Sequence, residues 1–372
     1  MRIDYDHIHY SIRQKVIDMQ NARHFVDRPL RIVAYDNAVI VPRDGQYAGG
    51  LYDARGPACH SNCYNVYEPS PCREQVEYAD KDVLFLGMLY APWGHCITDH
   101  LSRLWPLIEE NSKDRDLDIV YVMTSPSSEM PDNYFALLEL LGIDRSRIHK
   151  LEKPTQFKKV YFPDRSFWHN ENCDGDSVRH YTKEYVATVN KIRAFFSSSG
   201  ICKSRRVYLT RTGWKKGLVD FGERTLENAF SKYYGCEIVH PETLSFVETI
   251  KLLQQCEVLV TTDGSIAHNA IFGPDGMKMV IIRKSDFVNY HQPVINEIRN
   301  LDVTYVDAYP AGWFFNNRKE PWVGPFFMYV GEYVAQFLGC KKVLSPTELL
   351  RFVKCRLSIW AHQLFDRLSK GA

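Results

Sequence analysis

Apolar residues in this chain fall into short strand-like runs separated by segments with helical spacing, and from residue 206 onward the alternation is regular. Val207-Tyr208-Leu209-Thr210 reads as a strand, and a helical pattern begins near Arg224 and stops at Gly235. Cys236-Glu237-Ile238-Val239 reads as a second strand, followed by the turn His240-Pro241-Glu242. Ser245-Phe246-Val247-Glu248 has the Ser-x-x-Glu form of a capping box, and Phe246, Ile250 and Leu253 continue it with helical spacing. Val258-Leu259-Val260 is a buried-strand signal that runs into Thr261-Thr262-Asp263-Gly264-Ser265. A short helix over 266–272 stops at Gly273-Pro274, and Met279-Val280-Ile281-Ile282 is a further strand. Such alternation predicts a parallel sheet with helices on both faces.

In the first half, residues 30–35 and 38–42 flank Asp36-Asn37 and read as a hairpin. Val83-Leu84-Phe85-Leu86 is a strand leading through Tyr90-Ala91-Pro92-Trp93-Gly94 into a helix whose apolar face is Ile97, Leu101, Leu104, Trp105 and Ile108. His95, Asp99, Ser102 and Arg103 fall on the opposite side. Further strands are expected at 117–122 and 159–163, a helix at 134–141 ended by Gly142, and a long helix over 178–196. Ser197-Ser198-Ser199-Gly200 is a linker, which puts a domain boundary near 197–204. There is no internal repeat and no low-complexity segment.

Parallel sheets bind ligands outside the carboxyl ends of their strands, where Arg211, Glu242 and Asp263-Gly264-Ser265 fall. Gly264 lets backbone approach a ligand, and the N–H groups of a helix opened by Ser265 favour an anion. An arginine fork matches two phosphate oxygens at once, so a diphosphate is the natural guest. Taken singly, Ser265 is equally an N-cap, Arg224 a solvated helix residue and His268 a hydrogen-bonded core histidine. His95 and Asp99, four residues apart, are neighbours that suit acid/base work. Without further context they are equally the polar side of an amphipathic helix.

Length and composition narrow this picture. A chain of 372 residues exceeds one usual domain, and 45% hydrophobic residues can fill two cores. A formal net charge of +1 gives no support to a nucleic-acid partner. No run of eighteen apolar residues occurs, and the amino terminus is too polar for a secretory signal, so a cytoplasmic location is expected. Cys59, Cys63 and Cys72, with His60 between them, match no common zinc spacing and read as reduced thiols or, alternatively, a metal or disulfide cluster. No Gly-x-Gly-x-x-Gly follows a strand, which argues against a dinucleotide-dependent dehydrogenase. The aromatic segment 311–317 with Trp322, Phe326 and Phe327 either stacks on a sugar or packs a core between domains. The basic amphipathic segment 346–368 either packs on the protein or lies on an anionic membrane.

The series Tyr-Leu-Thr-Arg, Arg-Thr-Leu-Glu-Asn, His-Pro-Glu-Thr-Leu-Ser-Phe-Val-Glu-Thr-Ile and Asp-Gly-Ser-Ile-Ala-His-Asn-Ala-Ile-Phe resembles glycosyltransferase family 61 in order and spacing. Gly94-His95-Cys96-Ile97-Thr98-Asp99 fits the family's His with an Asp four residues on. The resemblance implies an α/β, GT-B-like fold of two Rossmann-like domains facing across a cleft. Residues 1–199 would bind the acceptor, 200–345 the donor, and 346–372 would form a helix on the protein or membrane surface. The implied activity is inverting transfer from a nucleotide-diphosphate sugar, a UDP-sugar being favoured, to a carbohydrate hydroxyl, as in building bacterial capsule or lipopolysaccharide. His95 and Asp99 would be catalytic. Arg211, Arg224, Glu242, Asp263, Gly264, Ser265, His268 and Asn269 would hold the donor, and Arg103 and Trp313 the acceptor. Neither metal nor cofactor is expected, since no Asp-x-Asp occurs in the donor segments. The expected location is the cytoplasm at the inner face of the membrane, with peripheral attachment through the last helix. One departure is Arg283-Lys284, where the family often has an acidic residue. It gives footing to an alternative, a carbohydrate- or nucleotide-binding protein of the same fold without catalysis.

Overall fold

The structure is a computed structural model that describes residues 1–43, 49–53, 56–57, 76–108, 117–125, 127–169, 178–196, 203–214, 220–312, 314–315 and 322–370, with side chains to 363 in the last helix. The chain begins with β1 (Arg2–His7) and α1 (Tyr10–Asn21). There follow β2 (Ile32–Asp36), β3 (Val39–Val41), β4 (Gly50–Asp53), β5 (Gly56–Pro57), β6 (Glu77–Leu89), α2 (Trp93–Ile97), α3 (Trp105–Ile108) and β7 (Asp118–Met123). Next come α4 (Asp132–Leu140), β8 (Ile148–Lys150), β9 (Thr155–Pro163), β10 (Phe167–His169), β11 (Arg179–Tyr181) and α5 (Lys183–Ala194). The second half holds β12 (Arg205–Leu209), β13 (Asp220–Phe221), α6 (Glu223–Tyr234), β14 (Glu237–Val239), α7 (Phe246–Gln254), β15 (Cys256–Thr262) and α8 (Ser265–His268). It ends with β16 (Lys278–Arg283), α9 (Gln292–Ile298), β17 (Asp302–Asp307), β18 (Phe326–Phe327), α10 (Glu332–Leu338) and α11 (Pro346–Lys370).

The chain divides into two compact units, one of residues 1–21 with 198–372 and one of residues 22–197. This corrects the expected 1–199 domain at its start. Arg2, Ile3 and Asp4 of β1 pair in parallel with Asp302, Val303 and Thr304 of β17, so the first strand closes the sheet of the second half. Strand pairing between distant segments leaves no mark in local sequence.

In the unit of residues 1–21 and 198–372, the described strands form a six-stranded parallel sheet in the order β14-β12-β15-β16-β17-β1. Its central strands are continuous apolar runs because helices cover both faces. Tyr208, Val260, Val280, Ile282 and Val306 alternate onto one face and pack with Leu226 and Phe230 of α6 and Val334 and Leu338 of α10. Burying each such large side chain stabilises the fold by roughly 1.5–3 kcal/mol. The strand order reverses between β12 and β15, which makes their carboxyl ends a topological switch point. Phe314, Phe315, Phe326 and Phe327 are packing residues of this same unit. Phe315 stacks on the fully buried Phe352 of α11 at 5.6 Å, and Phe327 lies equally close. Trp313 and the Ser-Gly linker lie outside the described residues. Past Phe352, α11 turns Leu357 and Trp360 to solvent. No helix among the described residues is long and apolar enough to cross a membrane.

In the unit of residues 22–197 the sheet is mixed, which corrects the expectation of a second Rossmann-like sheet. Strands β9, β6, β7 and β8 run parallel, whereas β2, β3, β4 and β5 add an antiparallel flank. The Asp36-Asn37 hairpin is absent. Ile32 to Asp36 pair with Pro163 to Lys159, and Val39 and Ile40 continue the same register onto Gln156 and Thr155. Asn37 sits in that line at φ 54 and donates its N–H to the Lys158 carbonyl, so the pair marks an interruption between β2 and β3 along β9, not a reversal. The long helix expected from 178 starts only at Lys183, because Arg179–Tyr181 are drawn into pairing with β10. Cys59, His60, Cys63 and Cys72 lie outside the described residues.

Candidate active site

The segment after β6 departs most from expectation. In place of one amphipathic helix, residues 93–108 form α2, a turn, the 3-10 turn Leu101–Arg103 and α3. The cause is local. The Thr98 hydroxyl donates to the Gly94 carbonyl at 2.8 Å, and the Ser102 hydroxyl donates to the Asp99 carbonyl, while Pro106 has no N–H to give. Breaking the helix folds its polar side inward. Thr98, Asp99, His100, Ser102 and Arg103 are all buried, as are the apolar Ile97, Leu101 and Leu104.

This burial sorts the expected residues. Asp99 is buried, and its Oδ2 lies 2.6 Å from Nδ1 of His95, whose side chain keeps 27% exposure. Tyr90 stacks on the His95 ring at 5.0 Å. Behind it, Nε2 of His100 accepts the Tyr90 N–H at 3.0 Å. Burial, above the opposing field of Asp99, pushes His100 down to about 3, so it stays neutral and able to accept. Arg103 is buried. Its guanidinium lies on the Phe162 ring at 4.1 Å and donates to the Pro163 carbonyl, which corrects its expected place on the polar side of one helix. Trp313, the other expected acceptor residue, lies outside the described residues.

In the other unit, the loops after β12 and β15 carry Arg211 and Asp263-Gly264 to the switch point. Arg211 Nη1 lies 3.5 Å from Oδ2 of Asp220, and Lys284 Nζ, just past β16, lies 3.3 Å from the same oxygen. Glu223, the first residue of α6, is 1% exposed and accepts the Arg211 N–H at 3.4 Å. Burial, reinforced by Asp220, pushes Glu223 up to about 8. Gly264 has φ 126, closed to side-chain-bearing residues, and is itself the N-cap of α8, so Ser265 stands exposed one position inside the helix. Gly213 has another reason to be glycine, since an added Cβ would fall 1.6 Å from the Glu242 carboxylate. That contact brings Glu242 to the β12 loop.

Asn269, His268 and Arg224 separate from this group. Asn269 donates to the Ile266 carbonyl at 3.0 Å and is buried, a bond within its own helical segment. His268 is buried with Nε2 3.4 Å from Asn289. Arg224 is exposed on α6. Asp263 is buried, and its carboxyl is raised by that burial against the opposing pull of Arg283 and Lys284. Arg283 is a core residue that pairs with Asp307 at 3.1 Å and donates to the Ser285 and Phe287 carbonyls. Asp220, Glu223 and Lys284 are not among the residues expected here. Their one sequence signal is two carboxylates just ahead of a helix, where the macrodipole favours them.

The chain matches the family model described as Glycosyltransferase 61 over residues 93–280, half of its length. It belongs to glycosyltransferase family 61. The protein is accordingly a glycosyltransferase, and the matched span opens on α2 and its His95-Asp99 pair and closes inside β16. Comparison with curated proteins returns no match.

Proposed function

We propose that this family 61 glycosyltransferase moves a sugar, with inversion, from a nucleotide-diphosphate sugar to a carbohydrate hydroxyl. The observation that carries the reading is the 2.6 Å contact between His95 Nδ1 and the buried Asp99. A carboxylate on Nδ1 fixes the tautomer whose Nε2 lone pair is basic, so His95 is the base and Asp99 its orienting partner. The acceptor oxygen attacks the anomeric carbon and gives its proton to Nε2. The bond from that carbon to the diphosphate oxygen breaks, its electron pair leaves with the diphosphate, and Asp99 stabilises the imidazolium.

The second unit holds the donor in this reading. Arg211 and the backbone around Gly264 take the charge that grows on the leaving group at the switch point, where Glu242 also stands. Residues 22–197 supply the acceptor side. A UDP-sugar is the favoured donor, no metal or other cofactor is assigned, and the product belongs to a bacterial surface polysaccharide. Exposed Leu350, Leu357 and Trp360 beside Lys354 support peripheral attachment of α11 to the inner face of the membrane. The test is transfer from a panel of nucleotide sugars to oligosaccharide acceptors. His95→Ala should lower kcat by about 10³-fold. A variant retaining more than a tenth of the parent rate would sink the assignment of the base.

A further inference from the structure

Lys284 lies outside the span that matches the family and past the end of β16, yet it meets Arg211, from the end of β12, on one carboxylate. Both cations approach a single oxygen, Oδ2 of Asp220, within 3.5 Å. Its other oxygen, Oδ1, is buried without a partner among the described residues. Lys284 is held from a second side by the Phe326 ring, 4.6 Å from Nζ, and its Nζ comes within 3.9 Å of the place a Gly264 Cβ would occupy. The ammonium therefore borders the backbone at Gly264 and shares Asp220 with Arg211. An ammonium carries three donors and a guanidinium five, so both retain N–H groups beyond those given to Asp220.

From this juxtaposition we propose that Lys284 is the second cation of the donor site, clamped beside Arg211 by Asp220 so that the pair grips two adjacent phosphoryl groups at once. The proposal rests on the donor reading above and extends it to a residue outside the matched span. Two of the neighbouring carboxyls, Glu223 and the Asp263 that faces Lys284, are shifted toward their neutral form by burial. Glu223, raised to about 8, keeps its proton at neutral pH and does not cancel the cations. Glu227 is engaged by the hydroxyls of Thr210 and Thr212. The site thus distinguishes a diphosphate from a single phosphate by the number of cations each can engage.

Titration calorimetry of the full chain with inorganic pyrophosphate and with orthophosphate, at low salt, tests this without knowledge of the nucleotide. The parent should bind pyrophosphate about tenfold or more tighter than orthophosphate, as one added charge-assisted contact implies. Lys284→Met should bring the two within about threefold, and Lys284→Arg should keep the preference. Because Lys284→Met leaves Asp220 with one partner, the double variant Asp220→Asn with Lys284→Met repeats the measurement without that uncompensated charge and should also lack the preference. Either Lys284→Met chain binding pyrophosphate as the parent does overturns the proposal. So does a parent indifferent between the two anions. If a chain that transfers sugar is unmoved by Lys284→Met, Lys284 is lost and the donor reading stands. If Lys284→Met abolishes the preference in a chain that transfers from no nucleotide sugar, the anion grip stands and the donor reading is lost.

Discussion

The ends of β6 and β12 are both carboxyl ends of parallel strands, and both bury an ionisable group beside a residue proposed for the site. They use burial in opposite senses. After β6, burial drives His100 down to about 3, leaving a neutral acceptor that anchors Tyr90 against His95. After β12, burial drives Glu223 up to about 8, leaving a neutral acid beside Arg211. The cause is shared, since low polarity disfavours whichever form is charged, and the sign follows from which form that is. The region after β6 thus sets a neutral imidazole behind the His95-Asp99 pair, while the region after β12 sets a neutral acid beside Arg211 and the Asp220 that it shares with Lys284.

That division is broken most directly by Asp99→Asn and Arg211→Ala measured together. Asp99→Asn should lower kcat by about 10²–10³-fold with little change in nucleoside-diphosphate affinity, because it removes only the partner of the base. Arg211→Ala should weaken diphosphate binding by about ten- to hundredfold, one charge-assisted contact. Equal effects of both variants on binding would erase the contrast.

Stability against pH sharpens the comparison at the next scale. Glu223 binds its proton up to about 8 in the fold but only to the ordinary glutamate range when unfolded, so its contribution is full at acid pH and is lost as pH climbs through that window. His100 has the opposite shift, and its contribution, present above the ordinary histidine range, is lost as pH falls toward about 3. Glu223→Gln should therefore raise stability at pH 8 by a few kcal/mol relative to pH 5 and leave the acid side as it was, read by denaturant melts across that range. A pH-independent difference between the two proteins would remove the buried-acid account. The smallest effect is expected away from both regions. Ser245 and Glu248 form a complete capping box at the start of α7, and Ser245→Ala should cost about 1 kcal/mol in melting experiments with no change in transfer rate.

The second half was largely readable in sequence because its strands are buried on both faces and its helices carry their own signals. Val258-Leu259-Val260, the capping box at Ser245 and the stops at Gly235 and Gly273 all act within a few residues of themselves. The first half was harder. Asp36-Asn37 carries turn chemistry, yet the register of β9 on both sides of it holds the chain straight. Helical spacing from Ile97 to Ile108 found the buried apolar residues but not the breaks between them, and so Arg103 was assigned to the wrong side.

Sequence alone determined the alternation of elements, the family, and the pairing of His95 with Asp99, because spacing along the chain brings those two groups together. Tertiary structure alone decided which of that pair is buried, that β1 closes the second sheet, and that Arg211, Asp220, Glu223 and Lys284 share one place. These depend on strand order and on the dielectric around a side chain, which are properties of contacts between residues far apart in the chain.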